Sequence, residues 1–335
     1  MSNGLAVSVL DLVGMRTGES ARSAIARSVE LAQHVERLGY RRVWLAEHHS
    51  IEGLACSATA VLIGRVAGAT STIRVGSGGV MLPNHAPLVV AEQFGTLDAM
   101  YPGRIDLGLG RAPGGDFHTM RALRRDHRQT GDDFPALLAE LRAYLDDARA
   151  GQAVKAIPGQ GSHVPITLLG SSAFSAQLAA AEGLPFAFAA HFAPEYLYAA
   201  SRLYSDRFRP GDVARPHLMV AVQVIAANTD AAARRLFTTP QQRFLRLIRN
   251  QPVELLPPVD SMEEIWDDFE RAAVENKLGA AIVGSKATVK AGLEKLVEET
   301  SADEVIVVTD TYDPADRFRS YELVAEVARD VALAA

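Results

Sequence analysis

Short apolar runs alternate with longer amphipathic stretches along the whole chain. Residues 5–12, LAVSVLDL, read as a strand. Residues 21–38 then place Ile25, Val29, Leu31, Ala32, Val35 and Leu38 at helical spacing, and Gly39 follows as a natural stop. The rhythm repeats, with further strands over 42–46, 73–82, 105–109, 166–169, 185–189, 217–226 and 304–308. Helices are predicted over 57–69, 87–100, 132–150, 173–182, 194–208, 230–249 and 321–332. Several strands are unbroken apolar runs, as expected where a parallel strand is buried on both faces. Eight strands, nearly all followed by helices, predict an α/β fold with a closed (β/α)8 TIM barrel. A doubly wound open sheet is the alternative. It is weakened because the first βα turn, LDLVGMRTGES, lacks the G-x-G-x-x-G spacing of a dinucleotide fold.

The rhythm breaks once, at residues 250–284, where PVELLPPVD and an acidic helix separate the seventh and eighth strands. We expect one domain over residues 1–335, with this stretch inserted as a lid or active-site loop.

Composition narrows the function classes. The 335 residues are 48% hydrophobic and 22% charged, enough for a large core. A net charge of −6 argues against a nucleic-acid surface, though not against a local basic pocket for a phosphate. Cys56 is the single cysteine, which excludes an intramolecular disulfide and a multi-cysteine zinc site. The start, MSNGLAVSVLDLVG, has no basic region ahead of its apolar run, and no apolar stretch reaches membrane-spanning length. These features predict a soluble, cytoplasmic protein without a membrane association.

In a barrel the strand C-termini build the active site. Here the second strand ends in Glu47-His48-His49, and the third runs through Ser77-Gly78-Gly79. The fourth ends in Gly110-Arg111, the fifth in Gly170-Ser171-Ser172, and the sixth reaches His191. Adjacent histidines point to opposite sides of an extended chain, so His48 and His49 fit acid–base or substrate-orienting work better than joint metal ligation. No metal-ligand motif of the H-E-x-x-H type occurs, and no metal site is expected. Ser171 and Ser172 precede a helix. They suit either a phosphate at its N-terminus or a plain N-cap. Arg111 matches phosphate geometry, or serves as a rim salt bridge. Glycines inside an apolar strand, as at Gly78-Gly79, imply close approach by a ligand or by neighbouring backbone. Phe174 is given no role.

Three blocks carry a resemblance. They are LGYRRVWLAEHH, the long run IRVGSGGVMLPNHAPLVVAEQFGTLDAMYPGRIDLGLGRAPG, and PITLLGSSAFSAQLAAAEGLPFAFAAHF. Together with the C-terminal block AIVGSKATVKAGLEKLVEETSADEVIVVTD, they span nearly the whole chain, which resembles the bacterial luciferase-like flavin-dependent monooxygenases. The resemblance implies a luciferase-like TIM barrel with insertions, a homodimer, and reduced FMN supplied by a separate flavin reductase. It implies oxygenation of a small organic substrate by O2 through a flavin C4a-hydroperoxide. On the matching positions, His48 is the histidine important for catalysis and His49 its neighbour. Arg111, Ser171 and Ser172 bind the cofactor phosphate, and Gly78-Gly79 is the site of a non-proline cis peptide against the flavin ring. Gly110 stands where the light-emitting subunits carry a reactive cysteine, which counts against light emission and long-chain aldehydes. Two alternatives stay open. One is hydride transfer with the deazaflavin F420, which binds the same barrel in related families. The other is a non-catalytic flavin-binding protein.

Overall fold

The computed structural model describes residues 4–111, 117–123 and 133–332. The first half runs β1 (Ala6–Asp11), α1 (Ala21–Leu38), β2 (Arg42–Leu45), α2 (Thr59–Ala67), β3 (Arg74–Met81), α3 (Pro87–Met100), β4 (Ile105–Gly110), α4 (Phe117–Ala122) and α5 (Phe134–Leu145). The second half runs β5 (Ile166–Gly170), α6 (Ala173–Glu182), β6 (Phe186–Ala189), α7 (Leu197–Arg207), β7 (Leu218–Ala226), α8 (Asp230–Ile248), α9 (Asp268–Lys277), β8 (Ile282–Gly284), α10 (Lys286–Thr300), β9 (Glu304–Val308) and α11 (Pro314–Ala328).

Local chemistry fixes many of these boundaries. The Ser20 hydroxyl accepts the Ser23 N–H at the start of α1, and Gly39 ends that helix in the left-handed region at φ 85°. Pro87 opens α3 at a position where no N–H is needed. The strands are buried along their length; all nine residues of β7 are.

All strand pairs are parallel, and the order β1-β2-β3-β4-β5-β6-β7-β9 returns to β1 through the β1–β9 ladder. This is the closed eight-stranded barrel that the alternation predicts. The eighth barrel strand is β9. The three-residue β8 pairs only with the C-terminal end of β7, outside the ring. The β3–β4 register shifts between Ser77 and Val80, where the glycine pair sits.

The observed elements depart from the sequence expectation in several places, among them the unexpected α4 and β8. Helix α10 was not anticipated, although Val289, Leu293, Leu296 and Val297 face the core. The closing helix begins at Pro314 rather than 321. The helix expected over 132–150 is α5, which ends at Leu145; residue 132 lies outside the described residues.

The N-terminal end of the barrel is closed by ions. Arg42 Nη1 donates to Asp106 at 2.9 Å, and its guanidinium also pairs with Glu304. Trp44 Nε1 donates to the same Asp106 oxygen at 3.2 Å, and Arg74 holds the other oxygen at 2.6 Å. Ser8 donates to Glu304. Residues 250–284 pack partly on themselves. Leu245, Met262, Val274 and Leu278 form a small second core, with Phe244, Ile265 and Trp266 against it. Among the described residues, no helix is long and apolar enough to cross a membrane.

Candidate active site

The C-terminal end of the barrel opens into a cavity of about 270 Å³. Six of the seven residues singled out from sequence line it: His48, Gly78, Gly79, Arg111, Ser171 and Ser172. The seventh, His49, does not. It turns aside, and its Nε2 bonds to Glu47 Oε1 at 2.8 Å.

The glycine pair is packed closely against its neighbours. A Cβ on Gly78 would stand 2.7 Å from Leu10 Cδ1 and 2.9 Å from Trp44 Cβ, and one on Gly79 would stand 2.7 Å from the Gly108 carbonyl oxygen. Packing alone therefore demands glycine, and the same backbone also walls the cavity. The Gly78–Gly79 peptide is cis.

At the other end of the cavity the walls turn polar. The Arg111 guanidinium lies 4.2 Å from the centroid of the Phe174 ring, in the first turn of α6. This contact orients the cation without neutralising it, and among the described residues no carboxylate pairs with Arg111. Ser172 holds the N-cap position of α6 in extended conformation, yet its hydroxyl makes no capping bond. Ser172 is thus the N-cap residue without the capping bond, and among the described residues Arg111 has no rim salt bridge. A guanidinium and hydroxyls beside a helix N-terminus are groups able to hold an anion.

Between the ends stands His48. Burial, reinforced by the charge of Arg243, pushes its pKa down to about 4, so the ring is neutral at pH 7. Across from it is His191, buried and likewise pushed down to about 4 by burial. Among the described residues its Nδ1 has no hydrogen-bond partner, and its ring meets Phe192 edge-on at 4.7 Å. The sequence placed His191 at a strand end, but nothing there distinguished it as a second neutral histidine.

Glu47 also lines the cavity, and its carboxylate joins the exits of β2 and β3. Oε1 takes both His49 Nε2 and His85 Nε2 at 2.8 Å, and Oε2 accepts the Met81 N–H at 3.2 Å. Burial alone would raise its pKa; the bonds from His85 and His49 hold it below the usual carboxylate range. These ligand atoms lie within 4.8 Å of one another, a grouping able to hold a metal ion, and hydrogen bonds already satisfy them. Sequence reasoning missed His85.

A second cavity of about 240 Å³ adjoins the first. The two share Leu12, His48, His191 and Phe192. The second is bounded by α8 and by Val253 and Lys277 of the inserted stretch. Its floor holds Arg243, paired to Asp310 at 2.8 Å, with Gln223 Nε2 donating to the same carboxylate oxygen at 3.2 Å.

Residues 5–304 match the family model of the luciferase-like monooxygenases. The chain belongs to that family. A luciferase-like monooxygenase of Escherichia coli K12 is 48% identical over 328 residues, 98% of each chain. The N-acetyl-S-alkylcysteine monooxygenase of Bacillus subtilis is 32% identical over 329 residues, 96% of this chain and 97% of that one. Among solved structures, apo-MsnO8 superposes with a TM-score of 0.86 at 36% identity, covering 98% of this chain and all of that one. Two more distant structures share the fold alone. One is the oxygenating constituent of 3,6-diketocamphane monooxygenase in complex with FMN (TM-score 0.77, 20% identity, 99% of this chain and 100% of that one). The other is an F420-dependent secondary alcohol dehydrogenase (0.69, 12%, 97% and 99%). This luciferase-like monooxygenase is accordingly an oxidoreductase, and the non-catalytic flavin-binding alternative drops out.

Proposed function

We propose that this luciferase-like monooxygenase binds reduced FMN in the first cavity and uses it with O2 to oxygenate a small organic substrate. The observation that carries the reading is the division of that cavity. The lining on β1–β3 is apolar, with Leu10 and Trp44 against the glycine backbone, and the lining on β4–β5 carries Arg111 and the start of α6, unpaired among the described residues. That donor set fits a ring system with a phosphate tail. When bound, reduced FMN supplies the oxygen activation. The chain's own residues do the rest. Arg111, Ser171 and Ser172 hold the phosphate, and the Gly78–Gly79 backbone admits the ring closely. The apolar walls exclude water. His48, neutral at pH 7, accepts or returns a proton at the reacting group.

The family resemblance adds a separate reductase that delivers the reduced flavin. The sequence adds that the stretch 250–284, inserted between strands, serves as a lid or active-site loop, and that the protein works in the cytoplasm. A homodimer forms through α2 and α3, where Val61, Val89 and Met100 are exposed. A monomer by sedimentation at micromolar concentration would refute that pairing.

The deciding experiment is anaerobic binding of reduced FMN and of reduced F420, each followed by mixing with oxygenated buffer. Tight FMN binding and a long-lived absorbance of oxygenated flavin support the reading. Preference for F420 with no oxygen adduct would overturn it in favour of hydride transfer.

A further inference from the structure

The second cavity is mostly apolar, with Leu12, Ile51, Phe192, Phe244, Leu247 and Val253 on its walls. Its charges do not cancel. Arg243 on the floor is matched by Asp310. Lys277, the last residue of α9, lies on the wall as well, and among the described residues it has neither an ion-pair nor a hydrogen-bond partner. The two histidines of the shared wall are neutral at pH 7 and offset nothing. The chamber thus holds two cations against one anion. The charge of Arg243 also reaches His48, where it is the largest influence after burial. An apolar chamber with one uncompensated cation favours an apolar molecule carrying a single negative charge.

Position gives the orientation. The wall shared with the first cavity is His48, His191, Leu12 and Phe192, whereas Lys277 belongs to the inserted stretch and is exposed to solvent. We propose that the second cavity is the binding site for an organic acid, its carboxylate on Lys277 and its apolar body reaching toward His48. The class of substrate follows: a small carboxylic acid oxidised at the end remote from its acid group. Naming this as the substrate's site rests on the first cavity being the flavin's, but the acid's binding does not.

The test needs no flavin. Hexanoate and hexanamide have the same shape and differ in charge, and their affinities for the full-length protein are measured by calorimetry. Hexanoate should bind about fivefold more tightly, the upper range for a solvent-accessible ion pair. Lys277→Gln should remove that preference, and Lys277→Glu should reverse it. Equal affinities in the wild type, or a preference untouched by Lys277→Gln, would overturn the proposal. Loss of hexanoate binding in the presence of saturating inorganic phosphate, with Lys277→Gln silent, would put the acid at Arg111 and overturn it equally. Failure of the oxygenation experiment would remove the flavin reading and leave these affinities interpretable.

Discussion

The two ends of the barrel are built from the same strands and treat charge in opposite ways. At the N-terminal end Arg42, Asp106, Glu304 and Arg74 are packed into one network in which every ion has an opposite partner. At the C-terminal end Arg111 and Lys277 have none among the described residues, and the half-buried His48 and buried His191 are held uncharged. A buried ion is tolerated when it is paired and hydrogen-bonded. The first end meets that condition within the chain, so its ions hold the fold together. At the second, Lys277 is exposed and Arg111 half-buried, so water solvates both and each is left able to take an external anion. An unmatched cation at a cavity is thus a better marker of function than a buried charge.

Substitutions can break that contrast. The largest effect is expected from Glu304→Ala. It leaves Arg42 short of a buried partner and should cost roughly 3–5 kcal/mol in chemical denaturation, with flavin affinity unchanged in the folded fraction. His48→Ala acts at the other end. It should slow turnover about 100-fold while weakening reduced-flavin binding less than threefold; a matching loss of flavin affinity would remove its assigned role.

Acid sensitivity separates the ends by pH window. His48 and His191 sit at about 4 in the folded protein and near 6.5 when unfolded. Between those values the unfolded chain holds more protons. Their contribution is therefore complete above pH 6.5 and is lost as pH falls toward 4. We expect up to about 3 kcal/mol for His191, of which about 2 kcal/mol is lost by pH 5, and less for His48, whose ring opens onto the cavities. Glu304 behaves differently. Burial would raise its pKa, but His217, Arg42 and Ser8 hold it at about 2, so its contribution is lost only as pH falls from 4.5 toward 2. Denaturation midpoints of His191→Asn and wild type at pH 7.5 and pH 5 should converge at the lower pH. Unchanged spacing would show that His191 does not titrate in this window.

A smaller effect is expected at the anion site. Arg111→Gln should weaken FMN about tenfold and leave riboflavin, which lacks the phosphate, unaffected. Ser172→Ala should change FMN affinity by no more than about threefold, in the same direction.

Most of the barrel is legible in the sequence because burial on both faces writes parallel strands as unbroken apolar runs, and residues such as Gly39 punctuate the helices. Helix α10 is legible in principle, since Val289, Leu293, Leu296 and Val297 keep helical spacing, but charged neighbours mask the stripe. The three-residue β8 carries too short a pattern to read. At the site, strand-end positions bring His48, Arg111 and Ser171-Ser172 into view, and the family resemblance gives them roles. His85 lies 38 residues from Glu47, and Asp310 lies 67 from Arg243. No periodicity encodes such pairs; only closure of the barrel brings them together. The direction in which His49 turns is likewise set by Glu47 and not by its place in the motif.

The inserted stretch brings its own small core around Met262, Val274 and Leu278, and it supplies wall to the second cavity without touching the first. Such a segment behaves as a cassette. Exchanging it for that of a relative, with the matching face of α8, should change which compounds enter the second cavity while leaving the lining of the first intact. The two chambers can then be re-engineered one at a time, with His48 and His191 as the partition between them.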